Sequence, residues 1–222
     1  MIIFPTPTSV GEQFSSGGKT WQWNGFAWDS IANASAIGAT GATGVTDFTN
    51  YLASVGQSST VIETIERNSA VASTAPNAGI LFLMMITPIV NTTITKLSVY
   101  VASASFGTTL FRMGVYSFNE GTNTATLLAS TDNSPTATQS IQLVELPLTS
   151  PTSITLSAGT RYAFGFIGVG HTLAPTLTSA SIVSTLSALP PVMSRSVPGQ
   201  TNLPATVVAT SSPGARFWIR GS

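Results

Sequence analysis

From residue 78 onward the hydrophobic pattern along the chain is that of an all-β protein. Leu97, Val99 and Val101 alternate with Ser98, Tyr100 and Ala102, as a strand buried on one face requires. Further short runs follow at residues 110–116, 127–129, 141–146, 154–156 and 161–169, separated by turn-forming stretches such as Asn119-Glu120-Gly121-Thr122-Asn123. Residues 216–220 read as the last strand. Gly165 and Gly168 inside the 161–169 run point to close sheet packing or bulges. The most apolar run, residues 79–86, ends at Thr87-Pro88. It is far short of the ~20 residues a membrane-spanning helix needs, so it reads as a buried strand. Residues 61–67 fit a strand or a helical turn, with strand preferred. Many short strands with Pro, Gly and Asn turns predict an all-β fold, a jelly-roll-like β-sandwich over 58–222.

The N-terminal pattern is different. Three of the four tryptophans fall within Trp21-Gln22-Trp23-Asn24-Gly25-Phe26-Ala27-Trp28. Asn-Gly is the strongest short hairpin signal, because a type I′ turn needs φ > 0 at both central residues. Such a turn places Trp23 opposite Phe26 and Trp21 opposite Trp28, with Gln22 and Ala27 on the other face. The aromatic face then either packs on its own chain or a copy of it, or docks another protein. Trp21, Trp23, Phe26 and Trp28 are therefore the candidate binding face of a module spanning 1–31. Small residues at 32–46 form a linker, with glycine at every third place in Gly38-Ala39-Thr40-Gly41-Ala42-Thr43-Gly44. Three triplets without proline cannot hold a collagen helix, so a flexible tether is favoured, although the period suits a threefold assembly. Asp47, with Phe48, Tyr51, Leu52 and Val55 behind it, predicts a short amphipathic helix over 47–57, stopped by Gly56.

Charge narrows the function. Only 7% of residues are charged and the formal net charge is zero, where ordinary soluble domains carry about 25%. Nucleic-acid binding rests on clustered Lys and Arg, which are missing here. With no cysteine there is no disulfide, thiolate nucleophile or Cys-based metal site. The first residues lack the basic and apolar regions of a signal peptide. His171, the single histidine, follows Gly168-Val169-Gly170 and reads as a solvated loop residue. No nucleophile elbow, phosphate loop or metal-spaced cluster is present. Glu63 and Glu66 lie three apart in an ordinary amphiphilic run, not as the paired acids of a glycosidase. An enzyme is not expected, nor any cofactor or metal. Residues 189–204 read as a long irregular segment whose Arg195, Asn202 and Gln200 either contact a sugar or wrap the sandwich.

Two stretches resemble known phage modules. Phe4-Pro5-Thr6-Pro7, Val10-Gly11-Glu12-Gln13-Phe14 and Gly18-Lys19-Thr20-Trp21-Gln22-Trp23-Asn24-Gly25 with Trp28 resemble a small unit near the start of bacteriophage tail fibres and related virion appendages. In the body, residues 88–97, Phe111-Arg112-Met113-Gly114-Val115-Tyr116, Leu128-Ala129-Ser130-Thr131 and Ala158-Gly159-Thr160-Arg161-Tyr162-Ala163 resemble the β-sandwich of phage minor tail and appendage proteins. The resemblance implies a virion structural protein, a homotrimeric fibre or fibre-like subunit. Its N-terminal module would attach to other virion proteins, and its sandwich would face outward and, in some such proteins, a host surface glycan. Neither nucleic acid nor membrane insertion is expected. The rival readings are a capsid decoration or head-fibre protein and, from another class, a carbohydrate-binding module.

Overall fold

A computed structural model describes residues 3–31, 56–181 and 190–222. The predicted linker and nearly all of the predicted helix lie outside the described residues. The chain divides into two compact units, Met1–Phe48 and Thr49–Ser222.

The first unit is a three-stranded antiparallel sheet of β1 (Gln13–Ser16), β2 (Lys19–Trp23) and β3 (Trp28–Ile31). The second unit is the expected all-β sandwich. Its strands begin with β4 (Ile62–Glu63), β5 (Ala72–Thr74), β6 (Leu81–Ile86), β7 (Thr92–Ile94) and β8 (Lys96–Ser103). The central ones are β9 (Leu110–Asn119), β10 (Thr124–Thr131), β11 (Gln142–Ser150), β12 (Ile154–Leu156) and β13 (Tyr162–Val169). The chain then adds β14 (Thr176–Ser181), β15 (Ser194–Val197), β16 (Thr206–Val208), β17 (Ala215–Phe217) and β18 (Arg220–Gly221). Gly56 and Gln57, assigned by sequence to the helix, belong to this unit: Gln57 bridges Ile62, and its Oε1 accepts the Ile89 N–H.

One layer runs β15-β6-β13-β9-β10 and the other β11-β8-β14-β17. They join where β10 shifts register at Ser130/Thr131 and pairs with β11. The core lies between them, built from Phe82 and Met84 of β6, Met113 and Val115 of β9, Phe164 and Phe166 of β13, and Leu97, Val99 and Val101 of β8.

β6 is buried at every position because both of its faces are covered. Phe82, Met84 and Ile86 enter the inter-layer core, while Leu81, Leu83 and Met85 join a second cluster with Val192, Val197, Leu203 and Ala209. A strand with two apolar faces reads as a continuous apolar run, which is what residues 80–86 show. The cover is the proline-rich segment after residue 190, and here the expectation of an irregular loop is corrected. Ser194–Val197 forms β15 on the edge of β6, and Arg195 is buried, at 6% exposure. Its Nη1 donates to Ser212 Oγ at 2.6 Å and its Nη2 to Asn123 Oδ1 at 3.3 Å. Arg195 is thus part of the wrap.

Two further readings change. Residues 61–67 yield only the two-residue β4, followed by a 3₁₀ turn at Arg67–Ser69. The terminal strand is split in two. Thr64 Oγ1 donates to Phe217 O at 2.7 Å and accepts the Ile219 N–H at 2.9 Å, inserting a side chain where ladder bonds would run. β17 therefore pairs with β14, and β18 moves across to β8 and β4.

Of the two glycines in β13, Gly165 marks close packing, whereas a Cβ on Gly168 would meet its neighbours at 3.5 Å or more. Gly165 stands opposite Gly114 of β9, and a Cβ on Gly165 would sit 2.9 Å from Leu83 Cδ2 and 3.0 Å from Tyr116 Cε2. Tyr116 fills that space, and burial pushes its phenol pKa up. Gly165→Ala is expected to cost about 1–3 kcal/mol by overpacking, read as a lower urea midpoint at unchanged m.

Candidate functional site

In the N-terminal unit the predicted aromatic face exists, but the turn is not the expected one. Among the described residues Asn123 is the only non-glycine with positive φ, so Asn24 cannot open a type I′ turn. Instead Asn24 Oδ1 accepts the N–H groups of Phe26 and Ala27 at 2.8 and 2.9 Å, and its Nδ2 donates to Asp29 Oδ2 at 2.7 Å. This side-chain turn, with Gly25 at φ +102°, makes residues 24–27 the loop. Trp23 consequently pairs with Trp28, and Trp21 with Ser30 and Phe14. Phe26 is corrected from the aromatic face to the loop tip, where it is 93% exposed. Ala27, expected opposite the aromatics, is also in the loop.

Trp21, Trp23 and Trp28 do share one face, since directly paired residues of antiparallel strands point the same way. The chain itself covers part of that face, leaving Trp23 and Trp28 half-buried. Phe4 stacks on Trp28 at 5.8 Å and meets Trp21 edge-on at 5.2 Å, and Phe14 packs within about 6 Å of both. Trp21 is left 8% exposed, an internal core residue. The Glu12 carboxylate, held below its usual pKa by the Thr8 backbone and hydroxyl, ties residues 8–12 into a tight turn. What stays open is the tip. Val10, 72% exposed, lies beside the loop, since a Cβ on Gly25 would be 3.4 Å from its Cγ2. Phe26 and Val10 are thus the apolar groups at the loop tip, and Ile3, 81% exposed, is a further one in this unit.

In the sandwich unit Glu63 is buried and accepts three hydrogen bonds. Its Oε1 accepts from Arg67 Nε and Nη2 at 2.8 and 2.5 Å, and its Oε2 from Trp218 Nε1 at 3.1 Å. The network floors an open apolar groove of about 420 Å³ lined by Tyr100, Leu143, Thr178 and Trp218. A second pocket, of about 410 Å³, is polar and lined by Arg161, Arg216, Gln57, Glu66 and Thr87 among others. Arg161 is locked: Nη1 donates to Thr87 Oγ1, Nη2 to Val192 O, and Nε lies 3.3 Å from Glu120 Oε1. Among the described residues the Arg216 side chain donates only to Met85 O, at 2.9 Å. Burial, and secondarily the like charge of Arg161, bring its pKa down to about 10. Sequence reasoning passed over both arginines. The available signal was Arg216 itself, a cation inside an apolar terminal strand of a chain with few charges.

His171 sits in the loop after β13 as expected, but its ring nitrogens are buried. Burial lowers its pKa, with the Pro76 carbonyl opposing. Below about pH 6.5 the unfolded chain takes up this proton before the folded one does. Stability should therefore fall as pH drops from about 6.5 through the lower folded value. The His171→Gln variant should show a flatter Tm profile over that range.

Among the described residues no group of three or more His, Cys, Asp and Glu side chains could hold a metal ion. No helix there is long and apolar enough to cross a membrane. No protein-family model matches the sequence, and comparison with curated proteins finds no match.

Proposed function

We propose that this chain is a structural subunit of a bacteriophage virion, a fibre or fibre-like appendage protein that assembles as a homotrimer and is not an enzyme. The N-terminal unit attaches it to other virion proteins, and the sandwich faces outward towards host-surface glycan. One observation carries the reading. The Trp-x-Trp-Asn-Gly string that resembles the phage module closes its own aromatic core as a unit separate from the sandwich. A detachable adaptor needs that independence, and an apolar tip of Phe26 and Val10 gives it a contact point. The low charge suits a protein whose solubility belongs to an assembly. Antibody labelling of purified particles tests the assignment: label on projecting appendages supports it, label on the capsid faces favours the decoration reading, and none removes it. Light scattering at micromolar concentration should return the mass of a trimer.

A further inference from the structure

Besides Glu63 and Arg161, which are paired with Arg67 and Glu120, the polar pocket of the sandwich holds two charges without an ion-pair partner among the described residues. Among the described residues no carboxylate lies within ion-pair distance of Arg216, whose single hydrogen bond uses Nη2 and whose Nε is buried without a partner. A half-buried guanidinium without a counter-ion is costly, and a fold selected for stability alone has no reason to keep it. The lowered pKa of Arg216 follows from that burial and from the nearby Arg161. Glu66 is the converse, an exposed carboxylate on the same pocket with no ion pair among the described residues. On the same pocket Gln57 Oε1 accepts the Ile89 N–H, and its amide N–H groups have no partner among the described residues.

A ligand that satisfies this set must bring a planar anion to Arg216 and hydroxyl donors to Glu66. Guanidinium matches a carboxylate in shape and donor spacing. Glu66 can only accept and is itself negative, so it repels a phosphate, whose charge is spread over all its oxygens, and favours a polyol that sets several neutral hydroxyl donors apart from its charge. The volume, about 410 Å³, falls within the ~300–1,000 Å³ of ordinary ligand sites. We propose that this pocket binds a carboxylated sugar, a uronic-acid residue of a surface glycan, with its carboxylate on Arg216 and its ring hydroxyls on Glu66 and Gln57. Only the glycan's origin rests on the host-facing reading above; the binding chemistry does not.

The test titrates the full chain by calorimetry with digalacturonate, with its dimethyl ester and with inorganic phosphate. A charge-assisted hydrogen bond contributes about 1.5–3 kcal/mol, or roughly 10–100-fold in affinity. Digalacturonate should bind, and the uncharged ester and phosphate should each bind at least about tenfold more weakly. Arg216→Gln should weaken digalacturonate by a similar factor. Glu66→Gln, at an exposed position that leaves the fold intact, should also weaken it and narrow its advantage over phosphate. Should Arg216→Gln fail to fold, the ester and Glu66→Gln decide alone. Equal binding of acid and ester, tighter binding of phosphate, no binding at all, or indifference to Glu66→Gln would overturn the assignment. Particle labelling is read separately, so the pocket can fail while the virion reading stands, and the reverse.

Discussion

Trp21→Ala is expected to unfold the N-terminal unit, whereas Phe26→Ala should leave it folded and weaken only attachment. The two residues are five apart in sequence and opposite in environment. Trp21 lies under Phe4 and Phe14 with 8% of its surface exposed, and Phe26 stands at the tip with 93% exposed. Truncating a buried Trp costs about 3–5 kcal/mol, more than a sheet of three short strands can spare. Truncating an exposed Phe changes stability by about 0.5 kcal/mol or less, but a hot-spot aromatic costs about 2 kcal/mol or more of binding. Amide and indole N–H spectra of the full chain report the folding of the unit, and particle incorporation reports attachment. Loss of native signals in Trp21→Ala alone, with reduced incorporation of both variants, is the expected pattern. Full incorporation of Phe26→Ala would remove the tip from the attachment surface. Trp23, half-buried against Trp28, should fall between the two.

The second large effect is expected in the sandwich core. Phe166 is fully buried and stacks on Phe82 at 5.3 Å, meets Phe217 edge-on at 4.9 Å and approaches Phe111 at 6.4 Å. These partners come from β6, β9 and β17, so one ring ties strands of both layers together. Phe166→Ala removes that ring from a core closed on all sides, at a cost of about 3–5 kcal/mol. Against a total stability of about 5–15 kcal/mol, this leaves a protein near its folding threshold. Phe106, 71% exposed, is the comparison, and Phe106→Ala should cost about 0.5 kcal/mol or less. Urea unfolding of the two variants beside the parent chain measures both. Similar midpoints for the two variants would mean that the layers are not joined through Phe166.

Period-two alternation made the sandwich legible, because each strand carries its own burial pattern: Leu97, Val99 and Val101 announce one buried face without reference to the rest of the chain. The 79–86 run was legible as a strand but not as one buried twice, since its second cover comes from Val192, Val197 and Leu203, more than a hundred residues later. The hairpin was legible as a hairpin and misread in register. There the Asn24 side chain captures two backbone N–H groups, a local competition that the Asn-Gly pair does not reveal. The cover that Phe4 provides was also hidden, because Phe4, between Ile3 and Pro5, belongs to no periodic run. The split of the terminal strand depends on a single hydroxyl, that of Thr64, arriving from another part of the chain. The arginine pocket was the least legible feature. Arg161 and Arg216 meet only through the fold, and neither belongs to a spaced motif.

The central claim, that the N-terminal unit joins this chain to a particle while the sandwich folds on its own, is tested most directly by deleting residues 1–37. The core residues of the sandwich all lie in the second unit. The truncated chain should therefore keep the urea midpoint of the sandwich and be missing from purified particles when expressed in competition with the full chain. Truncated chain incorporated at the level of the full chain, with that midpoint unchanged, would contradict the account and move the attachment surface into the sandwich.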